Sequence, residues 1–315
     1  MRSASARCST KVSFSGHETF VFRYAWLKKA VDAVSENPAV FTSDEAMVRL
    51  GIGKNMVRSV RHWGLSTGVL VEKAQTRGTQ LTVSRLGEFL FGPGGRDPYL
   101  EDTNSLWLLH WNLVFREQRS TTWCWSFNLL PSGEFTRDSL AAFLQAEANR
   151  RGLSIGSEGS LRRDIDCFLR TYIPTRAAKN SVPEDSLDCP LVELGILEEE
   201  RSSGMVRFNR GEKASLADEV LTYCLLEFWN RVAPDRESLA FSDVAYGFGG
   251  PGLAFKLDDN SLVDRLDRLE QVTQGRLVYG ETAGLKQVYR RSNLESFDLL
   301  EAHYRYSFGE LLKGA

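Results

Sequence analysis

The residues best suited to chemistry stand near the start of the chain. His17, Glu18 and Arg23 offer an imidazole, a carboxylate and a guanidinium in close succession. Brought together, such groups can move a proton and hold a phosphate. A site of that kind is one polar cluster near the start of the chain. A plainer reading gives the same residues structural work. Ser15 followed three residues later by Glu18 is a helix-capping pattern, and His17 and Glu18 then complement the helix dipole. A second set can touch nucleic acid. Lys54, Asn55, Arg58, Ser59, Arg61 and His62 alternate with the apolar stripe Val57, Val60 and Trp63, so a helix places them on its open face, with Lys73 and Arg77 following in a polar turn. Asp164 and Asp166 are two apart on a predicted helix and diverge by about 200°, which argues against a metal pair built from them alone.

These groups need elements to position them. Phe20, Tyr24 and Leu27 fall at helical spacing, which predicts a helix from about Glu18 to Val34. Thr42 with Glu45 predicts a capping box for the next helix, and Gly51 a left-handed stop. A second helix is expected from Lys54 to about Leu65. Val69–Val71 and Leu81–Val83, joined by Gln75-Thr76-Arg77-Gly78, then read as a hairpin. Helix, tight turn, helix, hairpin is the order of a winged helix-turn-helix, which docks one helix in the major groove. Between Arg49 and Gln80 six basic residues face one acid, a net of +5 inside a chain whose formal total is −2. That is a phosphate footprint, although winged helices also serve as protein-contact modules and basic helix faces are often merely solvated. Gly51-Ile52-Gly53-Lys54-Asn55 lacks P-loop spacing and the Ser or Thr after Lys.

Composition excludes several classes. The 315 residues suffice for two or three domains, with 42% hydrophobic and 25% charged content. No apolar run could span a membrane. Residues 1–13 are small, polar and basic without an apolar core, so a disordered start is expected rather than a secretory signal. Five cysteines, never spaced C-x-x-C, speak against a disulfide framework or structural zinc and suit a reducing cytoplasm.

Further along, Leu86–Phe91 predicts a short helix, and Gly92 to Pro98 a domain boundary. Ser105–Phe115 reads as a buried helix. Trp123, Trp125 and Phe127 could stack bases but more often fill a core. Helices are expected over Phe135–Arg151, Ser160–Tyr172 and residues 215–230. From Glu184 to Glu200 there are seven acids and no base. Such a segment faces away from DNA, meets a basic partner, or is simply solvated. A short helix over Leu239–Val244, a glycine-rich turn at 247–252, a helix from about Asp259 to Val272 and a hairpin at 277–289 predict a second winged-helix module. Its recognition helix, Lys256–Glu270, holds three bases and five acids, which suits protein better than DNA.

Several segments carry a resemblance. FSGHETF (14–20) with RYAWLKK (23–29), VRLGIGKNMVRSVRHWGL (48–65), CPLVELGIL (189–197), RFNRGEKASLADEVL (207–221), and FKLDDNSLVDRLDRLE (255–270) with TAGLKQVYR (282–290) resemble the SspB-type proteins that accompany DNA phosphorothioation genes in bacterial defence islands. The resemblance implies a part in placing sulfur in the DNA backbone, beside a cysteine desulfurase, an ATPase and an ATP pyrophosphatase. It also implies single-strand nicking, with Mg or Mn as the expected cofactor and with His17, Glu18 and Arg23 asked to activate water and balance transition-state charge. The residues do not show this independently, because no PD-(D/E)xK, HNH or paired-aspartate pattern is present.

The expected fold is mainly α with small β wings (α+β): a disordered start (1–13), a winged-helix DNA-binding domain (14–91), a helical middle (99–233) and a winged-helix-like domain (234–315). The expected function is a DNA-binding, strand-nicking component of a phosphorothioation system, with His17, Glu18 and Arg23 as first candidates for catalysis. Expected partners are double-stranded DNA, the sulfur-transfer proteins and a second copy of the chain. A transcription regulator without catalysis and a scaffold bridging the sulfur-transfer proteins stand as alternatives.

Overall fold

Glu18 and Thr19 decide where the first helix begins. Their φ angles are 48° and 66°, left-handed values that a right-handed helix cannot contain. Helix α1 therefore runs from Tyr24 to Glu36 rather than from Glu18, and no side chain caps it, so Ser15 is not its N-cap. The computed structural model that shows this describes residues 12–175, 188–200, 202–282 and 284–311. Of the expected disordered start, residues 1–11 lie outside the described residues, as do Glu184 and Asp185 of the acidic run. Ser13 is tied down, its N–H donating to Thr121 Oγ1 at 2.8 Å.

The expected capping box at Thr42 does not form. Thr42 closes a 3₁₀ turn (Val40–Thr42) and donates its hydroxyl to the Ala39 carbonyl at 2.7 Å, so α2 (Glu45–Leu50) starts after Asp44 with no side-chain cap. Gly51 ends it at φ 67°, as its position predicts. α3 follows (Lys54–Ser66), then the antiparallel pair β1 (Leu70–Glu72) and β2 (Leu81–Val83), with Leu70 opposite Val83. Leu81 N–H also donates to Pro38 O at 2.8 Å, tying the hairpin to the segment before α2. α4 (Arg85–Phe91) is capped by Ser84, which accepts from Gly87 N–H. A side chain at Gly87 would put Cβ 2.2 Å from the Val69 carbonyl, so only glycine lets α4 approach the hairpin this closely. α1 packs on α3, α4 and β2 around Leu27, Val31, Trp63 and Leu90.

The next helices, α5 (Thr103–Phe115) and α6 (Thr121–Asn128), are buried on nearly every side. Trp107, Trp111, Trp123, Trp125 and Phe127 fill the core, so the aromatic cluster has no face left for stacking bases. β3 (Glu134–Phe135), α7 (Arg137–Arg150), α8 (Glu158–Tyr172), β4 (Leu197–Glu200) and β5 (Met205–Phe208) complete this unit, whose sheet has the antiparallel order β3-β5-β4. Packing among the described residues separates the chain between Asn209 and Arg210. Residues 92–98 thus lie inside the first unit.

The second unit contains α9 (Asp218–Val232), β6 (Ser238–Ala240), α10 (Phe241–Tyr246), α11 (Pro251–Phe255), α12 (Asp259–Asp267), α13 (Leu269–Val272), β7 (Leu277–Thr282), β8 (Leu285–Arg290) and α14 (Ser296–Leu311). Leu239, expected in a helix, belongs to a strand, and the sheet order is β6-β8-β7. The expected long helix is two. Lys256 takes φ 54° and cannot start it, Asp258 caps α12 by accepting from Ser261 N–H at 2.7 Å, and Arg268 interrupts. Arg265 on α12 is buried, bonded to Asp218 and to the Leu216 and Lys213 carbonyls, so it does not face a groove.

Candidate nucleic-acid interface

His17 is the keystone of the 14–23 loop. A backbone N–H can only donate, so the bond from Thr19 N–H to His17 Nδ1 (3.0 Å) leaves the ring proton on Nε2. Nε2 then donates to Asp164 Oδ1 on α8 at 2.7 Å. Thr122 Oγ1 on α6 donates to the other carboxylate oxygen. His17 is 3% exposed and Asp164 1%, with the Trp123 and Trp63 rings packed around the imidazole. Both ring nitrogens are thereby engaged inside the protein, and the left-handed turn at Glu18 and Thr19 is held by them. Gly16 closes the other side. Its φ is 112°, and a Cβ there would meet His62 Nδ1 at 2.7 Å. Burial, with the charges of Arg119 and Arg61 adding to it, pushes the His62 imidazole down to about 3, so it is neutral at pH 7.

His17, Glu18 and Arg23 do not converge on one another. Glu18 turns outward to Arg58 on α3, with 3.7 Å between carboxylate and guanidinium, and Arg23 lies over the Trp26 ring. Nor does Asp164 pair with Asp166: the first faces inward to His17 and the second outward to Arg137. Thr122 and Asp164 as partners of His17 left no local signal in the sequence, because they lie more than 100 residues away.

On α3 the stripe Val57, Val60 and Trp63 is buried while Lys54, Asn55 and Arg58 are exposed. Ser59 is not on that face. It is fully buried, near the Phe20 carbonyl that Trp63 Nε1 bonds at 2.9 Å, and cannot reach a ligand. His62 is partly buried beside Ser66. Arg61 is tied to the hairpin through the Gly78 carbonyl (2.9 Å) and Glu72 (3.4 Å). Glu72 also takes Arg119, from the turn between α5 and α6, at 2.8 Å. Burial alone would raise the Glu72 carboxyl, but the Arg119 and Arg61 guanidinium groups outweigh it and hold it below its ordinary range. Arg49 pairs with Glu36. Of the basic footprint, Lys54, Arg58, Lys73 and Arg77 remain exposed, the last two on the hairpin.

No group of three or more His, Cys, Asp or Glu side chains among the described residues could hold a metal. Cys124, Cys167, Cys189 and Cys224 are buried and unbridged, and burial raises the thiols of Cys167, Cys189 and Cys224, so none is a ready nucleophile. No helix among the described residues is long and apolar enough to cross a membrane.

Residues 14–304 match the model of a family described as a protein of unknown function, DUF4007. The chain belongs to this family. Two solved structures resemble it throughout, a magnesium ion-bound SspB (TM-score 0.83) and an SspB (0.82). Each is 30% identical to it, the match covering 93% of this chain and 88% of theirs. The DUF4007 chain is thus an SspB-type protein. No curated protein matches it.

Proposed function

We propose that this SspB-type chain is the DNA-binding component of a DNA phosphorothioation system and nicks one strand so that sulfur can enter. One observation carries the DNA-binding half. Lys54, Asn55 and Arg58 stand exposed on α3 while the opposite stripe of the same helix is buried, and the next hairpin adds exposed Lys73 and Arg77. Residues 45–83 act here as a winged helix, with α3 in the major groove and the hairpin against the backbone. Nicking rests on the family resemblance and on the magnesium bound to the SspB relative. The described side chains offer no closed cage for such an ion, and Mg²⁺ commonly takes only one or two carboxylates plus phosphate and water. Glu18, beside Arg58, is the carboxylate we assign to this role. His17 then serves as a positioning residue for Glu18, and Arg23 stands apart. Partners are double-stranded DNA and the desulfurase, ATPase and pyrophosphatase of the system.

A second reading, DNA binding without catalysis, is favoured by the engagement of both His17 nitrogens. A supercoiled-plasmid relaxation assay run beside duplex binding separates the two, with and without Mg²⁺ or Mn²⁺. Open circles that disappear in Glu18→Ala support the nickase. Binding without open circles leaves the non-catalytic role. Absence of duplex binding by the unaltered chain refutes both.

A further inference from the structure

α8 has two working faces, and the function proposed above uses neither. Its inner face supplies Asp164, which grips His17. Its outer face supplies Arg163 and Arg170, seven residues apart and so two turns apart on one side. Between them Asp166 draws in Arg137 from α7 at 3.4 Å, and Arg137 is anchored further by Glu199 at 2.5 Å. Arg170 reaches across to donate to the Thr19 carbonyl. Together Thr19, Arg137, Arg163, Asp166 and Arg170 line a cleft of about 310 Å³, the small end of the range for ligand sites.

The charge of this cleft is unbalanced. Asp166 and Glu199 both answer Arg137, which leaves the guanidinium groups of Arg163 and Arg170 without a carboxylate partner. Arg163 and Arg170 form no ion pair among the described residues and both are exposed. Planar guanidinium forks grouped around a small space recognise oxyanions, phosphate above all. The loop that borders the cleft is built to stay in place. Glu18 and Thr19 hold left-handed backbone angles that cost energy for non-glycine residues, and His17 and Asp164 hold them there. Glu18 and Thr19 are adjacent, yet Glu18 faces Arg58 of α3 and Thr19 faces Arg170 of α8. One rigid turn therefore joins two cationic surfaces.

We infer that the cleft of Arg137, Arg163 and Arg170 is a phosphoryl-binding site that continues the α3 surface across the Glu18–Thr19 turn, taking a backbone phosphate of the bound nucleic acid. This rests on the DNA-binding reading for the source of the phosphate, whereas the oxyanion chemistry stands on the cleft itself.

The test measures duplex affinity against salt for the full chain, for Arg163→Gln, for Arg163→Gln/Arg170→Gln, and for Lys54→Gln/Arg58→Gln. Each lost phosphate contact should reduce the slope of log affinity against log salt by about 0.9. The expected result is a reduction of about 0.9 for either change on α8, which concerns one phosphate, and about 1.8 for the double change on α3. Arg163 holds no structural bond, so its single variant answers even if the α8 double change loosens the loop. Thermal unfolding with added inorganic phosphate forms the second arm. Protection of the unaltered chain that is lost in Arg163→Gln, with unchanged DNA slopes, assigns the site to free phosphate instead of backbone. A slope altered only by the α3 change, with no phosphate protection, overturns the cleft and leaves the DNA-binding reading intact. A slope unaffected by the α3 change removes that reading, and phosphate protection then decides the cleft alone.

Discussion

Replacing His17 by alanine separates a structural clamp from a catalytic base. In the clamp, Asp164 is 1% exposed and its carboxylate has two donors, His17 Nε2 and Thr122 Oγ1. His17→Ala removes one donor to the buried Asp164 side chain and deprives Thr19 N–H of its acceptor. Leaving buried hydrogen-bonding groups without a partner costs about 1–3 kcal/mol each. Glu18→Ala, by contrast, removes only a partly exposed pair with Arg58 and should change stability by less than about 1 kcal/mol. Urea unfolding followed by tryptophan fluorescence reads this well, because six of the seven tryptophans lie in the first unit and two of them flank His17. Asp164→Ala in the His17→Ala background should cost much less than the two single changes added together, with a coupling of about 2 kcal/mol. If His17→Ala unfolds at the urea concentration of the unaltered chain while plasmid nicking disappears, the clamp argument is wrong and His17 is a catalytic group.

Other expectations follow from the same geometry. Gly16→Ala forces a non-glycine residue to φ 112° and Cβ to 2.7 Å from His62 Nδ1, so the first unit should lose about 2–4 kcal/mol in the same urea assay. His62 is held at about 3 in the folded chain against an ordinary 6.5. The unfolded chain therefore binds the extra proton between those values, and stability that is full above pH 6.5 falls as pH drops toward 3. His62→Gln should flatten that part of a stability–pH profile. Burial lowers Lys256 from 10.5 to about 7, so the second unit should lose stability as pH falls from 10.5 to 7, and Lys256→Met should abolish that dependence. Ser59→Ala should leave the DNA salt slope unchanged where Arg58→Ala reduces it, and an equal effect of the two would contradict the burial of Ser59.

Local patterns were legible and long-range ones were not. Val57, Val60 and Trp63 announce the buried face of α3, and Gly51 the turn before it, because periodicity and a left-handed stop are written in neighbouring residues. The same periodicity misplaced Ser59, which falls at the margin of the stripe and turns toward Phe20 because the 14–23 loop packs there. That loop was read as the start of a helix. The capping pattern Ser15-x-x-Glu18 is local, but the forces that defeat it come from α6 and α8. A histidine that takes one bond from Thr19 and gives another to Asp164 fixes a turn no local propensity favours.

The same distance explains how the candidate site was divided. Composition placed a basic footprint between Arg49 and Gln80 but could not say which charges were already answered. Glu36 and Glu72 take up Arg49 and Arg61, and Glu18 approaches Arg58, leaving Lys54 on α3 and Lys73 and Arg77 on the hairpin. Arg163 and Arg170, by contrast, stand beside Asp164 and Asp166 in the sequence, two bases next to two acids. The helix separates them: Asp164 turns inward to His17 and Asp166 turns to Arg137, so the two arginines face solvent without a carboxylate of their own. Charge that cancels along a chain can therefore remain uncancelled on a surface. In this protein that happens on the α8 side of the turn that His17 holds.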